Sequence, residues 1–225
     1  MARRGCLLLG AVALARLASA ANPAPPCAAP PGIVPVVNES LCFTELVPVN
    51  PSGVSVRQYG IPANATFVSA VAGGVWPSGV QSGIASILSY FTGANDEQRN
   101  IAAARTTPFA VIPPKAGNTY ATYMQVSPAQ FPDNFLIPRP NPPVKTSLVS
   151  DNIGPIAVFQ FNTTGFPYLE NCEEACGVIQ NSTLPAGWAV NTSSAWSPTF
   201  VFYNGQADAN FTSECWMAVY KTSSP

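Results

Sequence analysis

From Gly53 to Tyr59 apolar and polar residues alternate, and this period of two predicts a strand. A second strand is predicted from Ala65 to Val71. The period then changes. Val80, Ile84, Ile87, Leu88 and Phe91 fall on one face of a helix from Ser78 to Phe91, with Ser78 placed to cap it and Gly93 to end it. Thr106 to Ile112 and Thr119 to Val126 read as strands joined by a turn through Pro113, Pro114 and Gly117. A proline-rich crossing from Pro128 to Pro143 interrupts regular structure. Beyond it the order recurs: a strand from Ile156 to Phe161, a helix from Tyr168 to Gln180, and strands from Thr199 to Tyr203 and Glu214 to Tyr220. Gly53 and Gly154 lead the two series, so the pattern predicts a duplicated unit.

The chain opens with Arg3 and Arg4, an apolar run from Leu7 to Leu17 and the small residues Ala18-Ser19-Ala20, which predicts a secretory signal over residues 1–20. Residues 21–38 are rich in proline and small side chains, a composition that favours extended polyproline II and leaves residues 39–225 as a single domain. Six Asn-x-Ser/Thr sequons, at Asn38, Asn64, Asn162, Asn181, Asn191 and Asn210, agree with export and predict surface glycans. The expected location is therefore extracellular or the lumen of the secretory route. No later stretch is long and apolar enough to predict a membrane span.

Export changes the charge. Losing residues 1–20 removes Arg3, Arg4 and Arg16 and no acidic residue, which moves the net charge from −1 to −4. The remaining cations are scattered singly, so a nucleic-acid partner is not expected. Apart from Cys6, five cysteines remain: Cys27, Cys42, Cys172, Cys176 and Cys215. In an oxidising compartment they pair, and an odd number leaves one over. Cys42, Cys172, Cys176 and Cys215 are the disulfide candidates, with Cys27 expected as the odd thiol; connectivity stays open.

The chain contains no histidine. This removes Ser-His-Asp and Cys-His catalysis and His-ligated zinc or haem iron. Glu170, Glu173 and Glu174 form an acidic group, but they gather at a helix start, where acids favour the helix dipole. The reading is therefore of a protein that binds and is not an enzyme, with no metal site expected.

One stretch carries more. Gly83-Ile84-Ala85-Ser86-Ile87-Leu88-Ser89-Tyr90-Phe91-Thr92-Gly93-Ala94-Asn95, then Ile101 and Thr106-Thr107-Pro108-Phe109, resembles the SOUL haem-binding family, in which a Gly-aromatic-x-x-Leu-hydrophobic-x-Tyr-Ile-x-Gly-x-Asn helix leads into an Ile-x-Met-Thr-x-Pro-Val strand. Other positions agree in order: Cys42, Val54-x-Val56-Arg57-x-Tyr59, Phe131 to Pro140 followed by Val144, and Ser197-Pro198 to Trp216. The chain departs from the family pattern at Ile84, which replaces an aromatic residue, and at Arg105, which replaces Met. Two extra residues also separate Asn95 from Thr106.

The resemblance implies an α+β domain, a distorted and mostly antiparallel β-barrel of two pseudo-repeated βαββ units flanked by helices. It also implies haem or a related tetrapyrrole as ligand, in a shallow apolar groove beside the first helix. Val80, Ile84, Ile87, Leu88, Phe91 and Tyr203 are the expected groove residues, with Arg105 or Arg99 as propionate partners. If iron is ligated, Tyr90, Tyr203, Met124 and Met217 are the available donors. The protein would then carry, scavenge or buffer a tetrapyrrole. The alternative is an interaction or matrix glycoprotein that keeps the fold without the ligand.

Overall fold

The computed structural model describes residues 43–59, 66–101, 109–114, 117–126, 137–142, 145–148, 154–194, 197–203 and 210–222. The signal, the proline-rich leader, Cys27, Cys42, Asn38, Asn64 and Arg105 lie outside the described residues. Ten strands and two helices follow one another as β1 (Phe43–Val47), β2 (Val54–Tyr59), β3 (Thr66–Gly73), α1 (Ser78–Phe91), β4 (Phe109–Ile112), β5 (Thr119–Gln125), β6 (Lys145–Leu148), β7 (Ile156–Thr164), α2 (Leu169–Asn181), β8 (Trp188–Val190), β9 (Thr199–Phe202) and β10 (Asn210–Lys221). The fold class is α+β.

All the strands belong to one antiparallel sheet, in the order β1-β2-β7-β10-β9-β4-β5-β3-β6, with β8 added to the end of β10. The expected barrel does not close. Among the described residues β1 and β6 stand at opposite ends with no pairing between them, and both are short, at five and four residues. The middle of the order has a symmetry of its own: β7-β10-β9 is mirrored by β4-β5-β3, with β9 and β4 joined at the seam through Val201 opposite Ala110. In this order β3 occupies the place of β7. The strand that matches Ile156–Thr164 is therefore the one beginning at Thr66, and not the Gly53-led strand of the sequence reading.

Both helices pack on one face of the sheet, α1 on β3 and β5 and α2 on β7 and β10. Strand alternation sends Val54, Val56, Phe200, Phe202, Cys215 and Met217 to that face, where they meet Val80 of α1 and Cys172, Ala175, Cys176 and Ile179 of α2. A second cluster joins Val68, Ala70 and Met124 to Ile87, Tyr90 and Phe91 of α1. The opposite face is also buried along its middle strands, by Tyr59, Ile156, Val158, Val201, Tyr203 and Trp216, although neither helix lies on it.

Glycine lets α1 come close. A Cβ at Gly83 would stand 2.7 Å from Thr122 Oγ1, and one at Gly79 would meet the Tyr120 ring at 3.1 Å. The helix has the predicted limits but not the predicted cap. Pro77 holds the N-cap position, and the Ser78 hydroxyl donates instead to the Val75 carbonyl at 2.9 Å. Gly93, at φ 110°, turns the chain out of the helix as expected. A disulfide between Cys176 and Cys215, Cα atoms 5.4 Å apart, ties α2 to β10. Cys172, one turn earlier on α2, is a buried free thiol, so this candidate carries no bond and is itself an unpaired cysteine. No helix among the described residues is long and apolar enough to cross a membrane.

Candidate functional site

The amphipathic stripe of α1 divides into two. Val80, Ile87 and Phe91 are sealed against the sheet, at 0%, 0% and 4% exposure, and do not line an open surface. Ile84 is half-buried and Leu88 is 42% exposed. These two, with Gln81 and Ala85 on the same flank, border a groove of about 380 Å³. The division follows from spacing: a face wide enough to hold five apolar positions is wider than the strip that touches β3 and β5.

Across from α1 the groove is aromatic. Its floor is Phe109 of β4 and Phe202 of β9, register partners on neighbouring strands. Phe166, in the turn before α2, and Phe211 of β10 close the far side, with ring centroids 6.1 Å apart. Phe166 also lies 5.2 Å from Phe202 and 5.9 Å from Trp76. The Trp76 indole donates to the Pro167 carbonyl at 3.0 Å, which fixes the turn that presents Phe166. No charged side chain lines the groove among the described residues, and its polar members are Gln81 and Tyr203. Sequence reasoning placed Ile84, Leu88 and Tyr203 here and missed the four phenylalanines. They come from four separate elements, and no local pattern joins them.

Tyr203 stands at the end of β9 and belongs to two environments. It borders the groove, but its hydroxyl reaches Glu214 on the opposite face, donating to Oε2 at 2.8 Å. The same oxygen accepts from the Tyr59 hydroxyl at 3.0 Å and the Trp216 indole at 2.7 Å. Arg57 completes the set with an ion pair to Glu214 Oε1 at 2.8 Å, its guanidinium 4.2 Å from the Phe43 ring centre. Glu214 is fully buried, and four donors satisfy it. Burial, reinforced by the Glu214 charge, pushes both tyrosine hydroxyls well above their ordinary range, so they remain donors. Burial opposes charge on Arg57, but Tyr59 and Glu214 outweigh it and hold its pKa above the usual value. A signal for this network was present in the sequence. Arg57-x-Tyr59 and Glu214-x-Trp216 each place a charge and an aromatic polar group two apart, on one face of a strand.

The remaining expected residues are placed elsewhere. Arg99 follows α1 in an exposed turn, 3.9 Å from Glu97, and is not in the groove lining. Of the possible iron donors, Tyr90 gives its hydroxyl to the Pro138 carbonyl at 2.8 Å, while Met124 and Met217 are each 1% exposed in the core. Tyr203 is held by Glu214. Glu170, Glu173 and Glu174 are exposed on α2. Asn162 and Asn181 are exposed and Asn191 is half-buried. Asn210 begins β10.

What the described lining can do is bury a flat apolar surface against aromatic rings. No family model and no curated protein sequence matches the chain.

Proposed function

We propose that this is a secreted glycoprotein that binds haem or a related tetrapyrrole without enzymatic chemistry, as a carrier, scavenger or buffer. The observation that carries the reading is the aromatic groove beside α1, where Ile84 and Leu88 face Phe109, Phe202 and Phe166. Its volume of about 380 Å³ falls within the range of small-molecule sites and suits one side of a macrocycle. Burial of apolar area at about 25 cal/mol per Å² supplies the affinity. Tyr203, the possible iron donor among the described lining residues, gives its hydroxyl to Glu214, and the aromatic lining suits binding through the ring face. Arg99 lies outside the groove lining, which leaves Arg105, outside the described residues, as the proposed propionate partner.

The resemblance of the motifs to the SOUL haem-binding family is in keeping with the same reading. The mirrored order of the sheet suits two βαββ units, β3-α1-β4-β5 and β7-α2-β9-β10, on a common plan. The motif positions Arg57, Tyr59 and Trp216 form one network with Glu214. Export is supported by the Cys176–Cys215 disulfide and by exposed sequons at Asn162 and Asn181.

Haem titrated into the purified glycoprotein is expected to quench tryptophan emission saturably and to shift its own Soret band. Trp76, which packs on Phe166 and Phe202, is the natural reporter. Replacing Ile84→Asp together with Leu88→Asp places carboxylates on the groove wall and is expected to weaken binding at least about tenfold. An equal response in this variant would sink the groove. A colourless native protein that ignores added porphyrin would instead favour the ligand-free interaction glycoprotein.

A further inference from the structure

The groove and the buried network meet at one residue. Phe202 points to the helix side and forms part of the groove floor, while Tyr203, the next residue, sends its side chain through to the opposite face. The Tyr203 backbone is held by a hydrogen bond from its N–H to the Thr212 carbonyl at 3.1 Å, and its hydroxyl by Glu214 at 2.8 Å. Glu214 is in turn held by Arg57 of β2, Tyr59 of β2 and its own strand neighbour Trp216. The end of β9 is thus pinned from behind by groups that do not line the groove.

We propose that Glu214 and Tyr203 are positioning residues for the groove: their hydrogen bond fixes the end of β9, so that Phe202 is set in place before a ligand arrives. The idea rests on the groove being the binding site. Preorganisation of this kind raises affinity by removing the cost of ordering the site on binding. Glu214 acts on the ligand without contact, through Tyr203 and the strand end that it holds.

Tyr59 provides an internal control. Tyr59 and Tyr203 are both buried, and both give their hydroxyl to the same Glu214 oxygen. The Tyr59 hydroxyl also accepts from Arg57 Nη1 at 3.3 Å, so Tyr59→Phe removes one bond more than Tyr203→Phe and is expected to lower folding stability at least as much. Only Tyr203 adjoins the groove floor.

The test measures binding of protoporphyrin and of the apolar dye 8-anilinonaphthalene-1-sulfonate to the wild type, Y59F, Y203F and L88D. Chemical denaturation of each variant reports its stability. Dye lost in L88D assigns the signal to the groove. Y203F is expected to weaken dye binding roughly three- to tenfold with Y59F within about twofold of wild type. Equal losses in Y59F and Y203F, or no loss in either, would show that the network supports the fold alone and overturn the proposal. Dye that binds a wild type indifferent to protoporphyrin defeats the tetrapyrrole reading and leaves the positioning role measurable. A groove that takes neither probe overturns both.

Discussion

Cys172 shows how far burial can change a side chain whose reactivity the sequence invites one to assume. It lies one helical turn from Cys176, in a compartment expected to be oxidising, yet it remains a thiol beneath α2. Burial, with the nearby Glu173 charge, pushes its pKa from 9.0 up to about 12. The folded protein therefore keeps a proton that the unfolded chain releases at lower pH. Its stabilising effect is complete below pH 9 and is lost as the pH climbs towards about 12. Unfolding titrations of wild type and Cys172→Ala, at neutral pH and at about pH 10.5, should show an alkaline loss about 2 kcal/mol smaller in the variant. Identical losses would mean that this thiol does not control the alkaline limb. The five cysteines announced that at least one would be left over; among the described cysteines it is Cys172, while Cys27, the expected odd thiol, and Cys42 lie outside the described residues. Cys176 comes within 5.4 Å of Cys215 across a sequence separation of 39.

Elements were legible in proportion to how strongly one face is buried. α1 runs from Ser78 to Phe91, as its apolar spacing demands, and α2 is offset by one residue from its prediction. The long strands β7 and β10 extend beyond their predicted ends, to Thr164 and back to Asn210, because their tips pair with each other where alternation has faded. β1, β6 and β8 were not visible. They are short, and β1 has three exposed central residues, so no period of two marks it. The groove was half legible: the stripe pointed to α1, but which of its residues face the opening depends on how closely the helix lies on the sheet. Gly83 sets that distance. In an exposed helix Gly→Ala is stabilising by about 1 kcal/mol. Here the new methyl meets Thr122 Oγ1 at 2.7 Å, in a fully buried threonine. Gly83→Ala should instead destabilise the protein by about 1–3 kcal/mol and shift α1 outward. Denaturant unfolding reads the first effect and the groove's dye affinity the second; a stabilised variant would contradict the close packing.

At the scale of the whole molecule, the surface is short of charge, since only 9% of the chain is Asp, Glu, Lys or Arg. Under the proposed export, sugar is the natural substitute. Asn162 on β7 and Asn181 at the end of α2 are exposed, and neither is among the residues that line the groove. Protein made through a secretory host should carry sugar at both, detected by glycopeptide mass spectrometry. Enzymatic removal of those glycans should lower solubility while leaving tetrapyrrole affinity within about twofold. Unmodified asparagine at both positions would remove the support that these sequons lend to export.

The N-terminal hairpin of β1 and β2 is paired with β7, a strand of the second half of the chain, while β4 and β9 join the halves again at the middle of the sheet. Neither half is thus a closed module. A polypeptide cut between Val126 and Ile137 would yield two fragments, each lacking neighbours that the other supplies, and burial of the three seams, β2 on β7, β4 on β9 and β3 on β6, is expected to recombine them without a covalent link. Intact, the molecule is expected to melt as one cooperative unit, for pulling either half away exposes three rows of strand edges at once.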